Sequence, residues 1–213
     1  MPVSPRFSTD CRRCKRLHAF LQESKHKYPG YYCKPVPSFG QPDARLLVVG
    51  LAPGLHGANA TGRPFTGDHA GLLLYETLHR YGFSNQSKSI APDDGLELID
   101  CRITNAVRCV PPQNKPVADE INHCNAYLAE ELDQVPDRGV ILALGQIAHK
   151  AVVRATGGRQ KDHPFGHGLQ TELARGIRLV DSYHCSRYNT QTRRLTPAMF
   201  DAVFSEIRAM LGS

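Results

Sequence analysis

The sequence lacks any run of about 18 uncharged apolar residues, the length that a membrane-spanning helix needs. Its first residues, MPVSPRFSTDCRRCKR, also lack the apolar stretch of a secretory signal peptide. These two absences argue against a transmembrane helix and against a cleaved leader. We therefore expect a soluble cytoplasmic protein that has no membrane partner.

The sequence also lacks the signatures of nucleotide cofactors. Its glycine-rich stretch at residues 50–59 is not followed by the GK[ST] of a P-loop, and it fits GxGxxG poorly. Internal repeats and low-complexity tracts are missing as well. The glycines suit another purpose, because they let a phosphate or a base approach the backbone closely where a buried strand ends.

Positive charge is in excess. The 213 residues carry a formal net charge of +6, which favours a polyanionic partner such as nucleic acid, although solvated surface lysines and arginines would give the same total. A chain of this length can bury a stable core without a metal, so we expect a single domain over residues 1–213. Any metal site therefore has to be argued from ligand spacing.

Short apolar runs alternate with helical patterns along the chain. The runs predict strands at residues 45–50, 99–107, 139–144 and 177–182. The helical patterns predict helices at residues 11–24, 69–81, 116–135, 146–156 and 197–211. This alternation predicts a three-layer α/β/α fold with a mostly parallel central sheet. In such sheets ligands bind beyond the carboxyl ends of the strands.

Three loops that follow these strands hold most of the unusual polar residues, at residues 51–68, 108–115 and 183–196. The first contains Phe65, and an aromatic residue in a polar loop is either a plug of the core or a platform for stacking. The third contains His184, several hydroxyls and three arginines, which are common donors to phosphate. A polar surface loop in which Thr196 caps a helix starting at Pro197 would explain the third loop too.

Four of the seven cysteines have the spacing of ligands. Cys11 and Cys14 form a CxxC, while Cys109 and Cys124 flank a proline-rich turn. By count alone, four thiolates suit tetrahedral zinc and a 4Fe-4S cluster equally, and unligated thiols are a third alternative. An odd number of cysteines argues against a disulfide framework. The remaining thiols are expected to be core or spectator residues: Cys33, Cys101 and Cys185.

Three longer segments carry a resemblance to a known family. They are GLAPGLHGANATGRPFTGD at 50–68, TNAVRCVPPQNKP at 104–116 and SYHCSRYNTQTRRLT at 182–196. With the four spaced cysteines, they resemble the iron-sulfur uracil-DNA glycosylases, in particular the family 5 or type B branch. The resemblance runs from Cys11 to the C-terminus. It implies the uracil-DNA glycosylase fold and a 4Fe-4S cluster bound by Cys11, Cys14, Cys109 and Cys124.

The resemblance implies an enzyme of base excision repair. Such an enzyme flips uracil, or another deaminated base such as hypoxanthine or xanthine, out of DNA and hydrolyses its N-glycosidic bond. No lysine is positioned as a Schiff-base nucleophile, so we expect a monofunctional glycosylase that leaves an abasic site, and we expect it to be a monomer. The alternative is a DNA-binding protein that keeps the fold and the cluster and recognises damage without cutting.

The resemblance also implies how the base is held. Phe65 would stack on the flipped base, and Asn105 would hydrogen-bond the uracil edge. Ala52 and Gly54 would complete the base-binding wall. His184 would donate to the departing base as negative charge develops on it.

Water activation is implied less directly. Other branches of the family place an acidic or amide residue where this chain has Leu51-Ala52, which cannot accept a proton. Asp68 and Asn114 are then the candidates for orienting the water, with His56 a weaker one. A mainly dissociative mechanism follows as a hypothesis, because the sugar cation can form before the water attacks.

DNA contacts are expected from the loops around the base. Arg187 and Tyr188 occupy the position that probes the minor groove in relatives. Two departures from the family pattern fall in the same loop, with Cys185 where Pro or Val is usual and Arg193 where Gly is common. The full expected set of DNA contacts is Arg63, Ser186, Arg187, Tyr188, Thr190 and Thr192.

Overall fold

The computed structural model describes residues 6–212, so that residues 1–5 and 213 of the predicted domain lie outside the described residues. Its strands are β1 (Phe39–Gly40), β2 (Leu46–Gly50), β3 (Cys101–Asn105), β4 (Val140–Leu144), β5 (Gln170–Glu172) and β6 (Arg178–Ser182). Its α-helices are α1 (Lys15–Lys27), α2 (Ala58–Thr61), α3 (His69–Arg80), α4 (Ala118–Gln134), α5 (Gln146–Ala155), α6 (Arg187–Gln191) and α7 (Pro197–Leu211). Within the described part of the chain, none of these helices is long and apolar enough to cross a membrane.

The strands form one sheet in the order β1-β3-β2-β4-β6-β5. The four central strands run parallel, while β1 and β5 pair antiparallel at the two edges. This arrangement confirms the mostly parallel sheet predicted from the sequence. The edge strands were not predicted, because they are only two and three residues long and contain no apolar run.

Alternate side chains of β2 enter two different cores. Leu46 and Val48 pack in a core with side chains of α3 and α7. Leu47 and Val49 pack in a second core, with side chains of α4 and α5. Because a strand points successive side chains to opposite faces, the sheet is covered on both sides and the α/β/α prediction is confirmed. A ligand site then has to lie at an end of the strands.

The N-terminal helix begins later than predicted. The backbone is extended at Cys14 (φ −104°, ψ 99°), so α1 starts at Lys15 and both cysteines of the CxxC precede it. Leu17 and Leu21 of α1 pack against the segment after β3, in a third apolar cluster. The final helix agrees with its prediction, since Thr196 caps it by accepting from the backbone N–H of Met199 at 3.2 Å.

Candidate active site

The carboxyl ends of the four parallel strands surround one cavity of about 880 Å³. The segments after β2, β3, β4 and β6 all contribute to its walls, as expected for a parallel sheet. It is lined by ten of the residues that the sequence singled out: Ala52, Gly54, Phe65, Asp68, Asn105, Asn114, His184, Ser186, Arg187 and Tyr188. Segments that are distant in the chain therefore meet at one edge of the sheet.

Phe65 forms one wall of the cavity. Its ring lies nearly parallel to that of His184, with centroids 6.1 Å apart and planes 25° apart. Phe65 has a φ of 57°, a left-handed conformation that costs about 1–3 kcal/mol in a residue with a side chain. The ring also packs in the core with α3 and α7. Phe65 therefore packs in the core, as one of the two sequence alternatives predicted, and also lines the cavity, while its role as a stacking platform stays a prediction.

Asn105 ends β3 beside Gly50, its partner in the sheet register. Asn105 lines the cavity although it is only 4% exposed, so its amide is shielded from bulk water. A Cβ at position 50 would lie 2.4 Å from Asn105 Oδ1 and 2.7 Å from Phe65 Cζ. A glycine is therefore needed there for the amide and the aromatic ring to sit side by side.

Asp68 is held by the backbone of the glycine-rich loop. Its Oδ2 accepts from the N–H of Ala58 at 3.1 Å. Burial raises the pKa of Asp68, whereas the backbone N–H groups of Ala58 and Gly54 lower it. A Cβ on Gly54 would lie 2.1 Å from Asp68 Oδ1, so the missing side chain makes room for the carboxylate. Asp68 is thus an oriented carboxylate in the cavity wall.

The other two candidates for orienting water differ in position. Asn114 lies at the cavity, exposed, at the end of the 3₁₀ turn Pro112–Asn114 and with a φ of 56°. His56 is outside the residues that line the cavity, and its Nδ1 lies 3.0 Å from the Tyr31 hydroxyl. Geometry therefore favours Asp68 and Asn114 over His56.

His184 follows β6 and presents its ring to the cavity. Burial lowers its pKa to about 4, so the imidazole is neutral at pH 7. Its Nδ1 is buried without a hydrogen-bond partner among the described residues. The backbone is fixed from one side, because the Asn189 amide donates to the His184 carbonyl at 2.8 Å. A neutral ring in this place can donate a hydrogen bond without carrying a full charge.

The loop after His184 contains the short helix α6, which the sequence did not predict. Ser186 caps it by accepting from the N–H of Asn189 at 3.4 Å. Tyr188 is 71% exposed at the cavity mouth, next to Arg187. Thr190 and Thr192 lie outside the cavity lining, and their hydroxyls donate to backbone carbonyls of the same loop. The structure therefore separates Arg187 and Tyr188, which are free to reach a ligand, from the two threonines.

Arg63 differs from its expected role as a DNA contact. Its side chain is 6% exposed and does not line the cavity. The guanidinium pairs with both carboxylate oxygens of Asp94, at 2.8 and 2.9 Å, and donates to the Ser89 hydroxyl at 2.7 Å. These contacts use its donors inside the protein, so Arg63 ties the first loop to residues 89–94. The sequence showed its charge but not this internal partner.

Several cavity residues were missed by the sequence prediction of the site. They include Gln146 at the start of α5, Phe165, Tyr183, Asn189 and Arg194. The rule about carboxyl ends of strands would have found Gln146, because it follows β4 and Gly145 directly. Phe165 belongs to a segment with no apolar run or motif, and its position follows from tertiary contacts alone.

The four spaced cysteines converge on a second, smaller cavity. Cys11, Cys14, Cys109 and Cys124 all line it, together with Tyr127. Burial and the nearby Cys124 thiol raise the pKa of Cys14 to about 11, and burial with the neighbouring thiols also raises the pKa of Cys109. Residues 6–212 contain no group of three or more His, Cys, Asp or Glu side chains that could hold a metal ion as they stand. The four thiols lie around one cavity and are therefore neighbours.

Comparison of the sequence with known proteins identifies one matching family and several similar proteins. A model described as the Uracil DNA glycosylase superfamily matches residues 37–208. A Type-5 uracil-DNA glycosylase of Thermus thermophilus is 46% identical over 209 residues, covering 96% of this chain and 95% of that protein. One from Mycobacterium tuberculosis is 42% identical over 210 residues, covering 95% and 78%. A Type-4 uracil-DNA glycosylase of Archaeoglobus fulgidus is 32% identical over 139 residues, covering 65% and 56%.

Proposed function

The chain belongs to the uracil DNA glycosylase superfamily, and on that premise we propose that it is a DNA repair enzyme that releases uracil by hydrolysing its N-glycosidic bond. The observation that carries the proposal is that Phe65, Asn105 and His184 line one cavity. An enzyme that acts on a base must take it out of the helix, at a cost of a few kcal/mol, and hold it in a pocket. This cavity offers an aromatic wall, an amide and a ring nitrogen to such a base.

The walls of the cavity account for base binding. Phe65 stacks on the face of the extruded base. The Asn105 amide has both a donor and an acceptor, which match the carbonyl and N–H groups along the uracil edge. Ala52 has only a methyl group as its side chain and Gly54 has none, so both leave room for the ring. The cavity volume of about 880 Å³ also admits a purine, so hypoxanthine and xanthine belong to the proposed substrate range.

His184 assists departure of the base. When the N-glycosidic bond breaks, its electron pair stays on the base, and the neutral imidazole donates a hydrogen bond to the charge that develops. The oxygen of a water molecule then bonds to the sugar carbon, and the proton it loses passes to Asp68 or to solvent. An abasic site remains in the DNA. In the proposed dissociative mechanism, stabilising the departing base contributes more to the rate than activating the water does.

Asp68→Asn tests that mechanism. The variant keeps an oxygen that can accept from the Ala58 N–H, so the loop geometry is retained. We expect uracil release to slow on the order of tenfold, less than the roughly 10²–10⁴-fold that a proton-transferring base typically contributes. Single-turnover rates of the variant and of His184→Ala, measured side by side, check this. Equal losses in the two variants would contradict a dissociative mechanism.

Gly50→Ala tests the pairing of Asn105 with Phe65. The added methyl group collides with both side chains and displaces the groups that hold the base. A shift of about 1 Å in such groups can cost about 10²-fold, so we expect kcat/KM for uracil release to fall by about that factor. Gly30→Ala is the matched control, because a Cβ there meets no atom of the described residues within 4 Å. Similar kcat/KM values for the two variants would contradict the claim that Asn105 and Phe65 need a glycine at position 50.

Contacts to DNA are proposed around the cavity mouth. Arg187 and the exposed Tyr188 reach into the minor groove beside the extruded base. Ser186, at the N-terminus of α6, lies close enough to the cavity to contact a flanking phosphate. Thr190 and Thr192 are assigned a lesser part, as their hydroxyls already donate within the protein. The net charge of +6 agrees with a polyanionic ligand.

A 4Fe-4S cluster is proposed for the cavity lined by Cys11, Cys14, Cys109 and Cys124. The four thiols line one cavity, and four cysteine thiolates are the ligand set of such a cluster. The similarity of the chain to Type-5 uracil-DNA glycosylases favours the cluster over zinc. The positive charge of the irons would offset the repulsion between the buried thiolates. When bound, the cluster ties the segment before α1 to the segment after β3 and to α4, and no redox catalysis is proposed for it.

One assay and one spectrum test the proposal against its alternatives. The protein is expected to release uracil from a duplex that contains one deoxyuridine. Tight binding without release of any deaminated base would favour a recognition protein that does not cut. Purification without oxygen is expected to give a brown protein, whereas a colourless, zinc-containing preparation would favour zinc. Cytoplasmic location and monomeric state stay predictions from the sequence.

The range and type of activity need separate measurements. A release panel of uracil, hypoxanthine, xanthine and ethenocytosine ranks the substrates that the cavity admits. The monofunctional assignment predicts that borohydride traps no covalent adduct between the protein and DNA, because no lysine of residues 6–212 lines the cavity. A trapped adduct would require a different mechanism.

A further inference from the structure

A buried histidine–aspartate pair lies behind the cavity wall and has no part in the mechanism described so far. His149 of α5 and Asp181 of β6 are each 1% exposed, and Nδ1 of the ring lies 2.8 Å from Oδ1 of the carboxylate. The other ring nitrogen, Nε2, lies 2.9 Å from the backbone oxygen of His163. Since a carbonyl oxygen only accepts, Nε2 carries a proton and both contacts fix the ring.

This pair anchors residues 163–169, which we call the buttress segment. His149 binds its first residue, and Asp181 Oδ2 accepts from the Gly166 N–H at 3.4 Å. The far end is tied to β6 by two backbone bonds with Asp181, from the N–H of Gly168 at 2.8 Å and to the carbonyl of Leu169 at 2.9 Å. The segment contains no regular helix or strand, so these contacts determine where it lies.

The buttress segment reaches the cavity at two places. Phe165 lines the cavity and packs its ring against those of His149 and Tyr183, at 5.6 and 6.3 Å. Nδ1 of His167 accepts from the backbone N–H of Tyr183 at 3.2 Å, and its ring stacks on the Tyr183 ring at 5.0 Å. Tyr183 directly precedes His184. The backbone at His184 is therefore held by Asn189 after it and by the buttress segment before it.

We propose that His149 and Asp181 are positioning residues for His184, acting through the buttress segment. The inference rests on the proposed function, because that function defines what His184 does. If the pair is broken, the segment is free to shift and the Tyr183–His184 backbone loses one of its two supports. Breaking the pair should then slow departure of the base, which is the step that His184 assists.

The choice of leaving group separates positioning from general damage. The fluorine of 5-fluorouracil stabilises the departing anion, so its release depends less on a hydrogen-bond donor than release of uracil. Single-turnover rates on duplexes of the same sequence give the ratio of 5-fluorouracil to uracil release. We expect His149→Gln to slow uracil release by about tenfold or more. We also expect it to raise this ratio, and His184→Ala should raise the ratio in the same direction. A smaller folded fraction alone lowers both rates equally and leaves the ratio unchanged.

A second variant is needed in case His149→Gln fails to fold, because removing one partner of a buried hydrogen-bonded pair leaves the other without a partner and is destabilising. His167→Ala removes the acceptor of the Tyr183 N–H and leaves the pair intact, and it should also raise the ratio. Ile207→Ala is the control for lost stability, since Ile207 is fully buried in α7 and does not line the cavity. That variant should keep the wild-type ratio.

The outcomes are distinguishable. The inference is overturned if His167→Ala, or a folded His149→Gln, keeps the wild-type ratio while the wild-type protein releases both bases. Release of neither base by the wild-type protein overturns the proposed function instead. A raised ratio in the two variants, with an unchanged ratio in Ile207→Ala, supports positioning of His184 through the buttress segment.

Discussion

Replacing His184 with alanine is expected to lower the single-turnover rate of uracil release by about 10²–10³-fold. The base gathers negative charge as the N-glycosidic bond breaks, and we propose that the imidazole in the cavity wall stabilises that charge. A hydrogen bond to a developing charge is stronger in a site shielded from water than in bulk solvent. The rate is measured with enzyme in excess over a duplex that contains one deoxyuridine, so that product release does not enter.

The control for this variant is a histidine elsewhere. His79→Ala removes an exposed histidine that does not line the cavity, and it should release uracil at the wild-type rate. Affinity for the uracil-containing duplex, measured by fluorescence anisotropy, should change little in His184→Ala, because the proposed interaction develops as the bond breaks. A His184→Ala protein with nearly wild-type activity would remove the central step of the mechanism.

The same variant should change how stability depends on pH. Burial lowers the pKa of His184 to about 4, from an ordinary value of 6.5. Between these values the unfolded chain binds a proton that the folded chain does not, so the wild-type protein loses stability as the pH falls from 6.5 toward 4. His184→Ala lacks this contribution. The melting temperature of the wild-type protein should therefore fall more between pH 7 and pH 5 than that of His184→Ala.

The central strands were predictable because each is marked by an apolar run within a few consecutive residues. The run Leu46–Gly50 is apolar throughout and ends in a glycine, so its burial on both faces of the sheet follows from composition. The edge strand Gln170–Glu172 carries polar side chains and depends on pairing with β6, which no local pattern encodes. The start of α1 was placed too early for a similar reason, since the extended backbone at Cys14 is not visible in the helical pattern that follows.

The candidate site was predictable where a motif carried it. Phe65, Asn105 and His184 come from three segments that resemble the family, and the parallel sheet brings their strand ends together. Arg63 was misassigned because a charge in a loop gives no sign of a buried partner 31 residues away. The buttress segment has no motif, and its place at the cavity is set by the His149–Asp181 pair and a few backbone hydrogen bonds.

Replacing Cys124 with serine is expected to abolish the visible absorbance of the proposed cluster and to lower the melting temperature by roughly 10 °C. Loss of a metal site is among the changes that cost about 4 kcal/mol or more, and a loss of that size corresponds to roughly 10 °C for a chain of this length. Absorbance, iron content and thermal unfolding of the protein purified without oxygen provide the measurements. Cys101→Ser is the matched control, since Cys101 is fully buried in β3 and lies outside the cysteine cavity.

The loss of stability should be accompanied by a loss of activity, because the chain connects the cysteine cavity directly to the candidate active site. The segment after β3 connects Asn105, which is proposed to bind the base, to Cys109 and then to Asn114 at the cavity. Without the proposed iron-sulfur cluster, α1 is held by the apolar contacts of Leu17 and Leu21 and by the ion pair of Arg16 with Glu120. Uracil release should therefore fall in Cys124→Ser and persist in Cys101→Ser. A colourless Cys124→Ser protein that melts and acts like the wild type would show that the thiols do not hold these segments together.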